Sequence, residues 1–223
     1  MYVSHKYKLI FLRTPKTASS SLSEFFIKNI PDPDAIYTPV EDSNIRGTLS
    51  KEVMDKYKLN FAYYHFTLQD LVGNGILTKA QAFEYKSIAV IRNPIDRQKS
   101  FYYFYRRWKN KGSKPSLSQY KAWTPQGFFR GEPNSSILQS SILQYNGEIQ
   151  GDYWLYPNIG NELSKLMREL NLQVTYPLPN HKNDFRTNRD DEIVFDKEAV
   201  DVLSRHFGAD IDLYNTLAEE TYV

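Results

Sequence analysis

Cysteine is absent from the chain, so neither disulfides nor thiolate metal sites contribute to it. The first glycine is Gly47. That gap excludes two nucleotide sites from the N-terminal region. The phosphate loop of ATP and GTP hydrolases needs glycines at both ends of GxxxxGK[ST] so that the backbone can wrap the phosphates, and a dinucleotide fold needs GxGxxG. No apolar run approaches the length of a membrane span. MYVSHKYK at the start holds no signal-peptide core, so the expected setting is soluble and cytoplasmic. Histidines number four, and the net charge is only +2, well short of the basic excess of a typical nucleic-acid-binding domain. There are no repeats or low-complexity tracts.

What is present begins with residues 8–26, KLIFLRTPKTASSSLSEFF. Leu9, Ile10, Phe11 and Leu12 form the short continuous apolar run of a strand buried on both faces of a parallel sheet. From Ser19 onward, Leu22, Phe25, Phe26 and Ile30 recur at helical spacing. The first turn of such a helix carries N–H groups without intrahelical acceptors and the positive end of the helix dipole, and a bound anion answers both. Thr17, Ser19, Ser20 and Ser21 add hydroxyls there, and Lys16 adds a mobile charge. The plainer reading is an ordinary Ser/Thr-capped helix beside a surface lysine.

A second unit lies in SIAVIRNPIDRQKSFYYFYRRW, residues 87–108. Ile88 to Ile91 read as another buried strand, Asn93 as a cap and Pro94 as the first helical residue. Arg92 then falls at the carboxyl end of a strand, where open α/β sheets place their ligands. Ser100 lies two turns into the helix, about 10 Å along its axis. Two anion sites at two strand ends suit a ligand with two separated phosphates. Pairing of Arg92 with a carboxylate such as Asp96 is the structural alternative.

PKTASSSL with a later R-N-P-x-D-R-x-x-S-x-Y resembles the sulfotransferases that use 3′-phosphoadenosine 5′-phosphosulfate, PAPS. The PKTAS form is most similar to the heparan sulfate and uronyl 2-O-sulfotransferase branch and its small bacterial relatives. The likeness covers 8–26 and 86–105 well, and 176–217 loosely through P-L-P-N-H-x-N and D-x-x-L-Y. It implies a P-loop-like strand–loop–helix in which Arg13, Thr14, Pro15, Lys16, Thr17, Ala18, Ser19, Ser20 and Ser21 grip the 5′-phosphosulfate. It also implies that Arg92 and Ser100 grip the 3′-phosphate and that Lys182 and Asn183 close over the nucleotide. The implied reaction is in-line sulfuryl transfer to a hydroxyl of a carbohydrate or glycolipid, with Lys16 stabilising the leaving oxygen, 3′,5′-ADP as product and no metal. The animal glycan enzymes of this branch are membrane-anchored and lumenal, and a cytoplasmic setting for the chain is the expected departure from them.

The reaction needs a base for the acceptor hydroxyl. His65, in FAYYHFTLQDL, is the leading candidate, because histidine is suited to proton transfer near neutrality and the resembled glycan enzymes use one in a comparable stretch. Glu24 is the rival, with a solvated helix position as its plainer reading, and His181 in PLPNHKNDFR is third. His5 and His206 have no supporting context. The basic run Arg106 to Lys114 reads as a solvated helix end or a groove for anionic glycan.

The expected fold is a single α/β domain over 1–223 with a central parallel sheet flanked by helices, and with 112–160 as an acceptor-side helical elaboration. Strands are expected near 9–13, 60–64, 87–91 and 172–176. Helices are expected near 19–29, 67–73, 78–85, 94–109, 134–146, 158–170 and 197–206, with 31–50 a long loop. Two other functions fit part of the pattern: a kinase-like phosphotransferase using Mg-ATP, for which no Walker-B strand is visible, and a noncatalytic module binding anionic glycan or nucleic acid through 106–114.

Overall fold

The computed structural model describes residues 1–40, 44–48, 65–109, 138–180 and 197–221. Two compact units make up the chain: Met1–Ile91 with Gln139–His181, and Arg92–Leu138 with Lys182–Val223.

The first unit is built on a five-stranded sheet. Its strands are β1 (Tyr2–Ser4), β2 (Leu9–Leu12), β3 (Ile36–Tyr37), β4 (Lys86–Ile91) and β7 (Asp152–Leu155), in the order β3-β1-β2-β4-β7. Pairing is parallel between β2 and β4 and between β4 and β7, and antiparallel from β2 through β1 to β3. Every residue of β2 and all of β4 after Lys86 are buried, which is why their apolar residues run on without alternation. Because β2 and β4 are parallel, Leu12 and Ile91 end them at one edge of the sheet.

Helix α1 (Ser19–Asn29) and helix α5 (Ile159–Glu169) share one core with alternate residues of the strands. Leu22, Phe25 and Phe26 of α1 meet Leu9, Phe11, Ile88, Val90 and Trp154, while Ile159, Leu163 and Leu166 come from α5. The rings of Phe11 and Phe26 lie 4.9 Å apart. Burying each such side chain contributes about 1.5–3 kcal/mol. This core fixes the helix after the Lys16 loop against the strand before it.

Two short helices, α2 (Leu68–Gly73) and α3 (Lys79–Glu84), each begin with a reciprocal capping box, Thr67 with Asp70 and Thr78 with Gln81. After a 3₁₀ turn at Gln139–Ser141 comes a tight hairpin of β5 (Gln144–Tyr145) and β6 (Glu148–Ile149). Asn146 and Gly147 form its two-residue turn with φ of 53° and 85°, the left-handed pair that such turns require.

The second unit contains α4 (Pro94–Lys109), α6 (Lys197–His206) and α7 (Gly208–Thr221). Arg97 of α4 and Asp210 of α7 are both fully buried and form an ion pair at 3.7 Å. Burial lowers the Arg97 pKa to about 10 against the opposing pull of Asp210. The guanidinium also lies over the rings of Phe207, at 5.0 Å, and Phe101, at 6.0 Å. Removing one member of a buried pair typically costs about 3–5 kcal/mol, because a charge is left uncompensated.

Most expected elements are present, and several readings need correction: β3 falls in the stretch 31–50 expected as a long loop, and β1 is not among the expected strands. Residues 172–176 are irregular, because the Thr175 and Tyr176 N–H groups donate to the Asn29 side chain instead of to a neighbouring strand. The described part of the expected 134–146 helix is the 3₁₀ turn and the first hairpin strand, and the third parallel strand is Asp152–Leu155. Helix α7 has no counterpart among the expected helices. The strand expected at 60–64 lies outside the described residues.

Gly151 precedes β7 with φ 124°, and a Cβ built there would stand 2.2 Å from the Ser87 carbonyl oxygen. Gly151→Ala is therefore expected to destabilise the chain by about 2–3 kcal/mol, lowering Tm by about 5–10 °C. Thermal unfolding monitored by circular dichroism measures it, and an unchanged Tm contradicts the close approach of β7 to β4.

Candidate active site

The loop between β2 and α1 contains no glycine, yet two of its residues take left-handed backbone conformations: Lys16 at φ 63° and Ala18 at φ 58°. Such geometry costs an L-residue about 1–2 kcal/mol and persists only where the surroundings enforce it. Alternating handedness over successive residues turns backbone N–H groups toward a common concavity, the arrangement that receives anions. The N-cap of α1 is Ala18, which forms no side-chain cap, so the plainer reading of a Ser/Thr-capped helix is not what the chain adopts.

Three contacts enforce the loop. Thr17 Oγ1 donates to the Thr14 carbonyl at 2.9 Å and closes a short turn. The Arg13 guanidinium, 2% exposed, donates to Ser20 Oγ at 3.1 Å and to the Pro39 carbonyl at 3.0 Å, bracing the loop's first residue against the first turn of α1. His65 Nδ1–H donates to the Arg13 carbonyl at 2.8 Å. The Thr14 hydroxyl is fully buried and has no hydrogen-bond partner among the described residues, an orphan group beside the strained loop.

His65 is thus brought to the loop although it stands 52 positions beyond Arg13 in the chain. The next residues anchor it: Phe66 is buried, Thr67 opens the capped helix α2, and the Leu68 N–H donates to the Ile142 carbonyl at 2.8 Å. A carbonyl only accepts, so Nδ1 carries the proton and Nε2 is the basic nitrogen of the neutral ring.

Glu24 is buried, at 6% exposure, which corrects its reading as a solvated helix residue. Its Oε1 accepts the Tyr176 hydroxyl at 2.6 Å, and that bond is the main cause of a raised Tyr176 pKa. Asn29, at the other end of α1, accepts at Oδ1 from the Thr175 and Tyr176 N–H groups, both at 2.9 Å, and donates to the Tyr176 carbonyl at 2.9 Å. Tyr176 and Asn29 escaped sequence reading. The available signal was a helix-terminal asparagine, which does not reveal a partner 147 residues away.

In the second unit Arg92 comes directly after β4 and is 7% exposed. Asn93 Oδ1 accepts from the N–H groups of Ile95, at 3.0 Å, and Asp96, at 3.2 Å, so the expected cap and Pro94 start are present. Ser100 is half-buried on α4. Lys182, Asn183 and His181 lie outside the described residues, as do residues 110–114 of the basic run. Among the described residues no cluster of His, Asp and Glu forms a metal-holding group, and no helix is long and apolar enough to cross a membrane.

A strand, a strained loop and the helix after it, on a sheet flanked by helices, place the chain in the mixed α/β class. The model of the Sulfotransferase family matches residues 1–149, and the chain belongs to that family. A crystal structure of a sulfotransferase from Alicyclobacillus acidocaldarius is similar in fold, with TM-score 0.51 over 95% of each chain at 14% identity. No curated protein matches the chain.

Asn29→Ala removes the side chain that holds residues 175–176 to α1. The expected loss is about 1–3 kcal/mol of local stability, seen as faster hydrogen–deuterium exchange of the Thr175 and Tyr176 amides. Unchanged exchange at these two positions contradicts the fastening.

Proposed function

We propose that the chain moves the sulfuryl group of PAPS to a hydroxyl of a carbohydrate or glycolipid acceptor by in-line transfer. Family membership supports sulfuryl transfer in general. The observation that carries the finer reading is the contact of His65 with the carbonyl of Arg13, which brings a candidate base to the residue that opens the Lys16 loop. The resemblance of PKTAS to the 2-O-sulfotransferase branch supports the carbohydrate acceptor.

In this reading the loop receives the 5′-phosphosulfate on its backbone N–H groups and on the hydroxyls of Ser19 and Ser21, while Thr14 and Thr17, both fully buried, shape the loop from within. Ser20 and Arg13 hold the loop's shape through each other. Arg92 and Ser100 are assigned to the 3′-phosphate by the motif they share with the family. Lys16 meets the negative charge that grows on the bridging oxygen as the sulfur–oxygen bond breaks, so its contribution is greatest in the transition state. Nε2 of His65 takes the acceptor's proton as the new oxygen–sulfur bond forms. One Glu24 oxygen already accepts a hydrogen bond from Tyr176, which favours His65 over Glu24 in that role.

Binding of 3′,5′-ADP tests the nucleotide assignment, since a ligand that binds only the folded state raises Tm by mass action. A clear rise at saturating 3′,5′-ADP is expected; no rise, together with a rise in Mg-ATP, overturns the reading in favour of a phosphotransferase. Lys16→Ala is expected to lower kcat by about 100-fold or more while changing 3′,5′-ADP affinity much less. Steady-state rates with radiolabelled PAPS measure it, and a wild-type rate removes Lys16 from the chemistry. His65→Ala should keep 3′,5′-ADP affinity near normal and suppress transfer by about 100-fold or more. Retained transfer moves the base elsewhere.

A further inference from the structure

The buried ion pair of the second unit has no part in the Lys16 loop or its braces. Arg97 lies five residues after Arg92 and three before Ser100 on α4, so Arg97 and Ser100 occupy neighbouring positions on one helix face. Its side chain is fully buried, which keeps it from touching a ligand. Asp210, its partner at 3.7 Å, stands in the first turn of α7, where the helix dipole favours a carboxylate. Phe207, fully buried between α6 and α7, stacks under the guanidinium, and Phe101, one turn beyond Arg97, approaches it from α4. One guanidinium therefore fastens the first turn of α4 to the corner where α6 meets α7. A lone buried charge is costly and an apolar pair of similar volume often is not, so the ion pair is a demanding way to make this contact. Its gain is direction: the pair and the two rings hold α4 in one rotation about its own axis.

We propose that Arg97 and Asp210 are positioning residues that hold the turn of α4 bearing Ser100 in the orientation that receives the 3′-phosphate. The inference rests on the assignment of Arg92 and Ser100 to that phosphate. Neither Arg97 nor Asp210 contacts the nucleotide; both act through Ser100. Loss of the pair lets α4 rotate or shift by a fraction of a turn, and the hydroxyl then misses the phosphate while the 5′ end of the nucleotide is held as before.

Isothermal titration of the full chain with 3′,5′-ADP and with 5′-AMP tests this, with circular dichroism confirming that each variant is folded. The wild type should prefer 3′,5′-ADP; if it does not, the 3′-phosphate assignment itself fails, and this inference with it. Arg97→Met is expected to weaken 3′,5′-ADP about tenfold or more and 5′-AMP less than about twofold. Arg97→Lys, which keeps the charge but loses the planar fork, should give a smaller loss of the same selectivity and serves if Arg97→Met does not fold. In a Ser100→Ala background the Arg97 substitution should cost little more, because the two act on one contact. An unchanged ratio of the two affinities in a folded Arg97 variant, or losses that simply multiply with Ser100→Ala, overturns the proposal and leaves the pair a stability element.

Discussion

Parallel pairing of β2 with β4 is the constraint on which the rest of the first unit depends. Ile10 faces Ser87 and Leu12 faces Ala89 across the ladder, so both strands end at one edge of the sheet. A parallel pair needs a long crossover and burial on both faces, and the chain supplies both. Alternate residues of the strands enter the core with α1 and α5, and the remaining ones are buried too. Shifting the register by one residue exchanges the faces of Phe11 and Leu12 and breaks the contact of Phe11 with Phe26. The Lys16 loop opens at the strand end fixed in this way.

The missing glycines have a structural counterpart. A glycine-rich phosphate loop adopts left-handed backbone at little steric cost, whereas here Lys16 and Ala18 adopt it with side chains in place. The penalty is offset by fixed contacts around the loop: Arg13 on Ser20 and Pro39, Thr17 on Thr14, and His65 on Arg13. In exchange the loop is less free in the unfolded and open states than a glycine loop. It also places a lysine at a strained position, where its backbone direction is defined. Arg13 shows how one residue type serves different ends in one motif: its guanidinium is turned inward as a brace.

Strands β2 and β4 and helices α1 to α6 were legible because each carries a strong local signal: a continuous apolar run, helical spacing, or a Thr-x-x-Asp or Asn-Pro start. Asn146-Gly147 is an equally strong hairpin signal, but it sits in a stretch whose apolar spacing also suits a helix. Residues 172–176, LQVTY, have the composition of a strand, and what they lack is a free ladder; tertiary contact with Asn29 took their N–H groups. At the site, residue types at strand ends marked the strained loop and the Asn93 cap, since both depend on local backbone. Long-range partners were not legible. Nothing near Glu24 in sequence indicates Tyr176, and nothing near Arg97 indicates Asp210, because side chains that meet through folding need no common local pattern.

Helix α1 links the fold to the proposed chemistry. Nine of its eleven residues are buried, including three consecutive serines and a glutamate, so the helix is enclosed by protein to a degree that its modest apolar content does not require. Buried polar groups are tolerated where they are hydrogen-bonded. Ser20 is joined to Arg13, Glu24 to Tyr176, and Asn29 to the backbone of 175–176. The helix is thereby held at its first turn, its middle and its last turn, by directional contacts at each point. For a reaction with a charge-spread, in-line transition state, the protein contributes mainly position and preorganised dipoles. A helix that could slide along its axis would carry its N-terminal amides away from the developing charge. Under the proposed reading, polar burial along α1 therefore serves the same end as the strained loop before it: both remove motion from the groups assigned to the anion.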